Sequence, residues 1–249
     1  MAHGKAAHLQ ETSLVDRMRA LASSLAMKAG LLDVLRSGHY IAIDSETTGV
    51  NVGRSKIWQL SLLHIVDHKV HDVFDHIVMI DREDFDACPE NVRKMIHLTW
   101  ERITENGVPL RNVLLDLSGY MSDKQGVPIV GHNIHKFDLP MLHNHLMAFK
   151  ATVGPNDSEA ADLKLGIHPG LVLDTGMIMK AAQVEMTMLD GESCSRFYDR
   201  VGGLRRRGVK WNVSYTMEKL GIAIDDELHD AVADCLAVAK MLRTILGVS

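Results

Sequence analysis

The chain has 249 residues, with 27 Lys plus Arg against 32 Asp plus Glu and a formal net charge of −5. That length is one generous domain or two very small ones, and it can bury a full core without disulfide staples. Hydrophobic residues at 46% and charged residues at 24% exclude extended disorder, and the acidic balance speaks against a simple basic nucleic-acid binder.

Cys88, Cys194 and Cys235 are odd in number and contain no C-x-x-C pair. Neither a disulfide framework nor a cysteine-built zinc site is expected. No apolar run approaches the ~18 residues of a membrane span, and no charged-then-apolar leader opens the chain. The expectation is a cytoplasmic protein with reduced thiols and no membrane partner.

The first dozen residues, through Thr12, are polar or small, and a frayed terminus is expected there. Leu14, Met18, Leu21 and Leu25 then form one helical stripe. Ser13 is its candidate cap, and Arg36-Ser37-Gly38 its candidate end. Tyr40 to Ile43 reads as a short strand, and Ile57 to Val66 and Val70 to Ile80 as two more, joined by a tight turn at Asp67-His68-Lys69. Pro89 and Pro109 each open a helix, the second running to about Met121. Pro128 to Val130 is a short buried strand, Leu139 to Phe149 a helix, and Leu171 to Leu173 a further strand before a Met-rich helix. Residues 184–212 read as one long irregular stretch, and His229 to Leu246 as a helix. Strands first, then strands alternating with helices, predict an α/β fold with a mixed sheet. Residues 1–38 form a helical extension and 39–249 one domain.

Three segments carry chemistry. In Ile41-Ala42-Ile43-Asp44-Ser45-Glu46-Thr47-Thr48-Gly49, Asp44 and Glu46 lie two apart and share one face at a strand's end. Side-by-side carboxylates repel, and a hard divalent cation relieves that repulsion. In Val130 to Pro140, Asp138 stands where a loop enters a helix, and in Leu228 to Asp234, His229 precedes Asp234 by five residues. If the last helix begins just after His229, the histidine sits in its entry loop and Asp234 on its face.

In this order the three segments resemble the DEDDh family of 3′→5′ exonucleases, which includes bacterial polymerase proofreading subunits and ribonuclease T relatives. The resemblance runs from about Tyr40 to Leu246, with weaker echoes at Leu173-Asp174-Thr175 and Met217 to Ile222. A sister branch carries tyrosine four residues before its last aspartate; here that residue is Asp230.

The resemblance implies a ribonuclease H-like fold, a mixed five-stranded sheet flanked by helices with the extra N-terminal helix, and the exonuclease domain over 39–249. It implies that Asp44, Glu46, Asp138 and Asp234 hold two Mg2+ ions, with Mn2+ able to substitute. Two such ions, roughly 3.5–4 Å apart, clamp the attacking and leaving oxygens. His229 is the candidate general base, since an unperturbed histidine near ~6.5 suits neutral pH. Glu46 and the Thr47-Thr48 backbone would meet the terminal 3′-hydroxyl. The implied partner is a nucleic acid 3′ end, DNA favoured over RNA and single-stranded or frayed, with 5′-mononucleotides released. An exoribonuclease of the same family, a polymerase-associated proofreading subunit and a homodimer remain alternatives.

Substrate contacts are sought in two further places. Trp58 and Gln59 follow the first segment at a distance where this family approaches the terminal base, and a tryptophan there is equally a stacking platform or core. Arg205, Arg206, Arg207 and Lys210 form the densest basic patch, bracketed by glycines, and suit a backbone clamp. Asp174 is read as structural, and Asp225, Asp226 and Glu227 as caps of the last helix. His64, His68, His71 and His76 lie within 13 residues, but a hairpin would not put all four on one face, so zinc is disfavoured. The opening charge count changes meaning here. Four of the 32 acids assigned to two divalent ions would bring −5 to about −1.

Overall fold

The computed structural model describes residues 12–153, 157, 163–224 and 229–248. The terminus expected to fray lies outside these residues, apart from Thr12, as do Asp225, Asp226 and Glu227. Among the described residues no helix is long and apolar enough to cross a membrane.

The stripe from Leu14 makes helix α1 (Leu14–Lys28), and Ser13 caps it by accepting from the Asp16 N–H. It does not run on to Arg36. Gly30 takes φ +70°, and the Leu31 N–H returns to the Ala26 carbonyl at 2.7 Å, a glycine-built helix end. A separate short helix, α2 (Leu32–Arg36), follows.

The sheet is mixed and five-stranded. β1 (Tyr40–Thr47) is central, with β2 (Ile57–Val66) and β3 (Lys69–Ile77) antiparallel on one side, and β4 (Ile129–Gly131) and β5 (Val172–Asp174) parallel on the other. Asp67 and His68 both take positive φ, so a two-residue turn matches the hairpin's twist. β3 stops at Ile77, short of the expected Ile80, because Val78 bridges Val108 instead. Leu171 belongs to a 3-10 turn ahead of β5.

The helices α3 (Arg82–Ala87), α4 (Glu90–Met95), α5 (Trp100–Asn106) and α6 (Leu110–Ser122) follow β3. Then come α7 (Asp138–Thr152), α8 (Thr175–Gln183), α9 (Cys194–Gly203), α10 (Val213–Leu220) and α11 (Ala231–Leu246). α9 interrupts the stretch expected to be irregular. Ser193 caps it, and Phe197, Tyr198 and Val201 bury one short apolar face.

Alternation along β1 sends Ala42 to one core and Ile41 and Ile43 to the other. The first core joins α1, α8 and α11, with Met18, Ala22 and Leu25 of α1 fully packed. The second joins α6 and α7. β1 runs on past the end of its parallel neighbour β4, with α11 crossing one face and α7 starting beside them.

Candidate active site

β1 delivers the first two carboxylates. Asp44 and Glu46 point to the face that α11 covers; Asp44 is half-buried and Glu46 7% exposed. A register shift between Glu46 and Thr47 ends the regular ladder there. Asp138 is the first residue of α7 and 4% exposed, and Ser45 Oγ donates to its Oδ1 at 2.5 Å. Asp234 lies in the first turn of α11, 7% exposed. Its Oδ2 accepts the His229 N–H at 3.3 Å, while its Oδ1 is buried with no donor among the described residues.

These groups perturb one another. Burial, then Asp138, Asp234, Glu46 and Asp230 in turn, push the Asp44 carboxyl far above its ordinary range. Burial and the charges of Asp234 and Asp138 raise Glu46 to about 8, with Arg102 opposing. Burial lifts Asp138 to about 7, against the Ser45 hydrogen bond. Burial raises Asp234, with His229 opposing. Four carboxyls held out of water near one another are unfavourable unless something positive joins them.

The donor set fits a hard divalent cation. Carboxylate oxygens are what magnesium and manganese take, and Asp234 Oδ1 is a buried acceptor without a donor among the described residues. Glu46, His229 and Asp234 offer ligand atoms all within 4.8 Å of one another. They are the one such group of three or more among the described residues. The hairpin histidines are not gathered; His64 only stacks edgewise and tilted against His71 and His39.

His229 is exposed and directly precedes Asp230, the N-cap of α11. The sequence expected that cap from the three acids upstream; Asp230 supplies it, accepting from the Val232 N–H at 3.1 Å. Asp174 is fully buried and accepts the Asn133, His135 and Met177 N–H groups, so it braces the loop that leads to Asp138. His132 is held by Thr175 Oγ1 and the Trp211 carbonyl, and His135 by Asp199.

The expected substrate contacts divide. Trp58 is fully buried with Ile80, Phe85 and Cys88, and offers no face to a base. Gln59 is 1% exposed and spends its amide on Asp75, Asp230 and the Ala231 N–H. Both readings are corrected: these residues are core and brace, because β2 is covered on both faces at this point. Thr47 and Thr48 shape the β1–β2 loop; Thr47 Oγ1 donates to the Gly49 carbonyl and Thr48 Oγ1 accepts the Lys56 N–H. Arg205, Arg206, Arg207 and Lys210 are exposed between α9 and α10. Lys210 and Trp211 line a cavity of about 440 Å³ together with His132 and Asn133, which sets the basic loop against the segment leading to Asp138.

Sequence reasoning missed Ser45 and Arg102. Ser45 lies inside the first motif and its hydroxyl spacing to a distant aspartate has no local signal. Arg102 comes from a helix remote in sequence.

No protein-family model matches the chain, and no curated protein matches it. Among solved structures it is similar to exonuclease I. One exonuclease I structure superposes with a TM-score of 0.57 at 14% identity, covering 85% of this chain and 41% of the other. The zinc-bound complex of the E. coli enzyme with single-stranded DNA gives 0.54 at 15% identity, over 84% and 40%. The E. coli complex with a dT13 oligonucleotide gives 0.56 at 15%, over 84% and 41%. The chain spans about two fifths of the length of these proteins. The five-stranded mixed sheet and its flanking helices are thus the exonuclease I type of ribonuclease H-like fold.

Proposed function

We propose that the chain is a divalent-metal-dependent 3′→5′ exonuclease that removes 5′-mononucleotides from single-stranded or frayed DNA ends. The observation that carries this reading is the convergence of four carboxyls from β1, α7 and α11, with a histidine beside them and one buried oxygen that has no donor among the described residues. The fold shared with exonuclease I, whose structures include complexes with single-stranded DNA and a zinc-bound form, supports it.

In this reading Asp44, Glu46, Asp138 and Asp234 hold two Mg2+, or Mn2+ in substitution. When bound, the ions supply positive charge for the attacking and leaving oxygens of the phosphodiester. His229, exposed at the cleft's edge, takes a proton from the attacking water. The water oxygen bonds to the last phosphorus, the bond to the preceding 3′ oxygen breaks, and that oxygen regains a proton. The products are a 5′-mononucleotide and a strand one residue shorter with a free 3′-hydroxyl. Glu46 and the Thr47-Thr48 backbone orient the terminal sugar, and Arg205, Arg206, Arg207 and Lys210 hold the backbone upstream.

The test offers 5′-labelled single-stranded DNA, duplex DNA and RNA, each with Mg2+ or Mn2+. Stepwise shortening of single-stranded DNA is expected, with Asp44→Ala inactive. Undiminished activity in Asp44→Ala refutes the site, and preferential digestion of RNA refutes the choice of DNA.

A further inference from the structure

Arg102 has no role in the sequence motifs, yet the structure sets it beside the acidic cleft. Its Nη1 donates to the His97 carbonyl at 3.0 Å. Its guanidinium lies over the buried Trp58 ring at 4.9 Å, and its Nη2 is 3.8 Å from Asp230 Oδ2. A planar, always-charged group suits a place that combines stacking with a counter-charge. Its charge is also the one that opposes the upward pull on the Glu46 carboxyl.

Asp230 is tied on three sides. Besides capping α11, it accepts Gln59 Nε2 at 3.3 Å, and Gln59 Oε1 in turn accepts the Ala231 N–H at 3.4 Å. Thus β2 and α5 both grip the first residues of α11. His229, immediately before, has φ +78°, a region non-glycine residues seldom occupy. Such a backbone persists where its surroundings over-determine it. The His229 side chain is exposed, so packing does not aim it; the backbone does.

We infer that Arg102 is a positioning residue: through Asp230 it fixes the entry to α11 and so holds His229 against Glu46 and Asp234. It also gives the cleft's fifth carboxylate a partner other than the metal-binding set. The inference rests on the reading of His229 as the base.

The test compares wild type, Arg102→Gln, His229→Gln and the double variant on single-stranded DNA with Mg2+. Arg102→Gln should lower kcat by about ten- to a hundredfold, the scale of a misplaced catalytic group, with KM within about twofold. In the His229→Gln background it should cost nothing further, because both changes disable one device. An equal loss in both backgrounds, or an unchanged kcat in the first, overturns the inference. Undiminished kcat in His229→Gln instead overturns the base reading. The positioning role of Arg102 is then judged by the His229 ring resonances, which should move in Arg102→Gln; unmoved resonances overturn it. Asp230→Asn retains the helix cap while removing the charge that Arg102 faces. It should reproduce both effects if Arg102→Gln fails to fold.

Discussion

Replacing Glu46 with glutamine should remove a pH dependence of stability from the metal-free protein. Burial and neighbouring carboxylates carry this carboxyl from 4.5 to about 8 in the fold. A raised carboxyl binds its proton more tightly folded than unfolded, so its contribution is complete below about pH 4.5 and is lost as pH rises through about 8. At 1.36 kcal/mol per pH unit the full contribution is about 5 kcal/mol. The useful window is narrower. His132 and His145 are pushed down by burial, so below about pH 6.5 they act in the opposite sense. That opposing contribution fades as pH rises above 6.5, and it is common to wild type and Glu46→Gln, so it drops out of their difference. Between about pH 6.5 and 8 linkage takes the Glu46 contribution from about 2 kcal/mol to less than about 1. A loss of about 1–2 kcal/mol corresponds to a fall of roughly 2–8 °C in the melting temperature of a chain this size. The assay is thermal unfolding in EDTA from pH 6.5 to 8. Wild type should lose that increment more than Glu46→Gln, and saturating Mg2+ should reverse the trend because binding favours deprotonated ligands. Parallel curves for the two metal-free proteins would refute the argument.

The strand and helix reading was legible where periodicity and punctuation agreed. Ile57 to Val66 is a strand at the expected limits because an apolar run ends at a two-residue turn whose residues tolerate positive φ. The misreadings have separate causes. Gly30 ends α1 although the apolar residues Leu31, Leu32 and Leu35 continue past it. α9 hides in a polar stretch because only Phe197, Tyr198 and Val201 face the core. Trp58 shows the limit for the site. Its distance from the first motif allowed either contact with a base or burial, and the packing of Ile80, Phe85 and Cys88 against it decides for burial. The four carboxyls were singled out by the resemblance of three ordered segments, and the fold brings β1, the start of α7 and the first turn of α11 together around them. Arg102 was not, since nothing local announces that α5 returns to the edge of α11.

Two further outcomes follow from the same packing. Trp58→Phe should lower stability by about 1–3 kcal/mol, read as a drop in melting temperature, by trimming a fully buried ring. Its KM for single-stranded DNA should stay at the wild-type value, and a raised KM would restore the stacking role rejected above. Reversing Arg205, Arg206 and Arg207 to glutamate tests the exposed loop against the same substrate. Each phosphate contact with a single strand contributes about −0.7 to the slope of log affinity against log salt, so losing up to three should flatten that slope by as much as ~2. Because the loop borders the segment leading to Asp138 rather than the carboxyls themselves, kcat at saturating substrate should hold while affinity falls. An unchanged salt slope would remove the loop from the path of the strand, and the proposed attraction of an acidic chain to a polyanion would then rest on the ions proposed for the cleft.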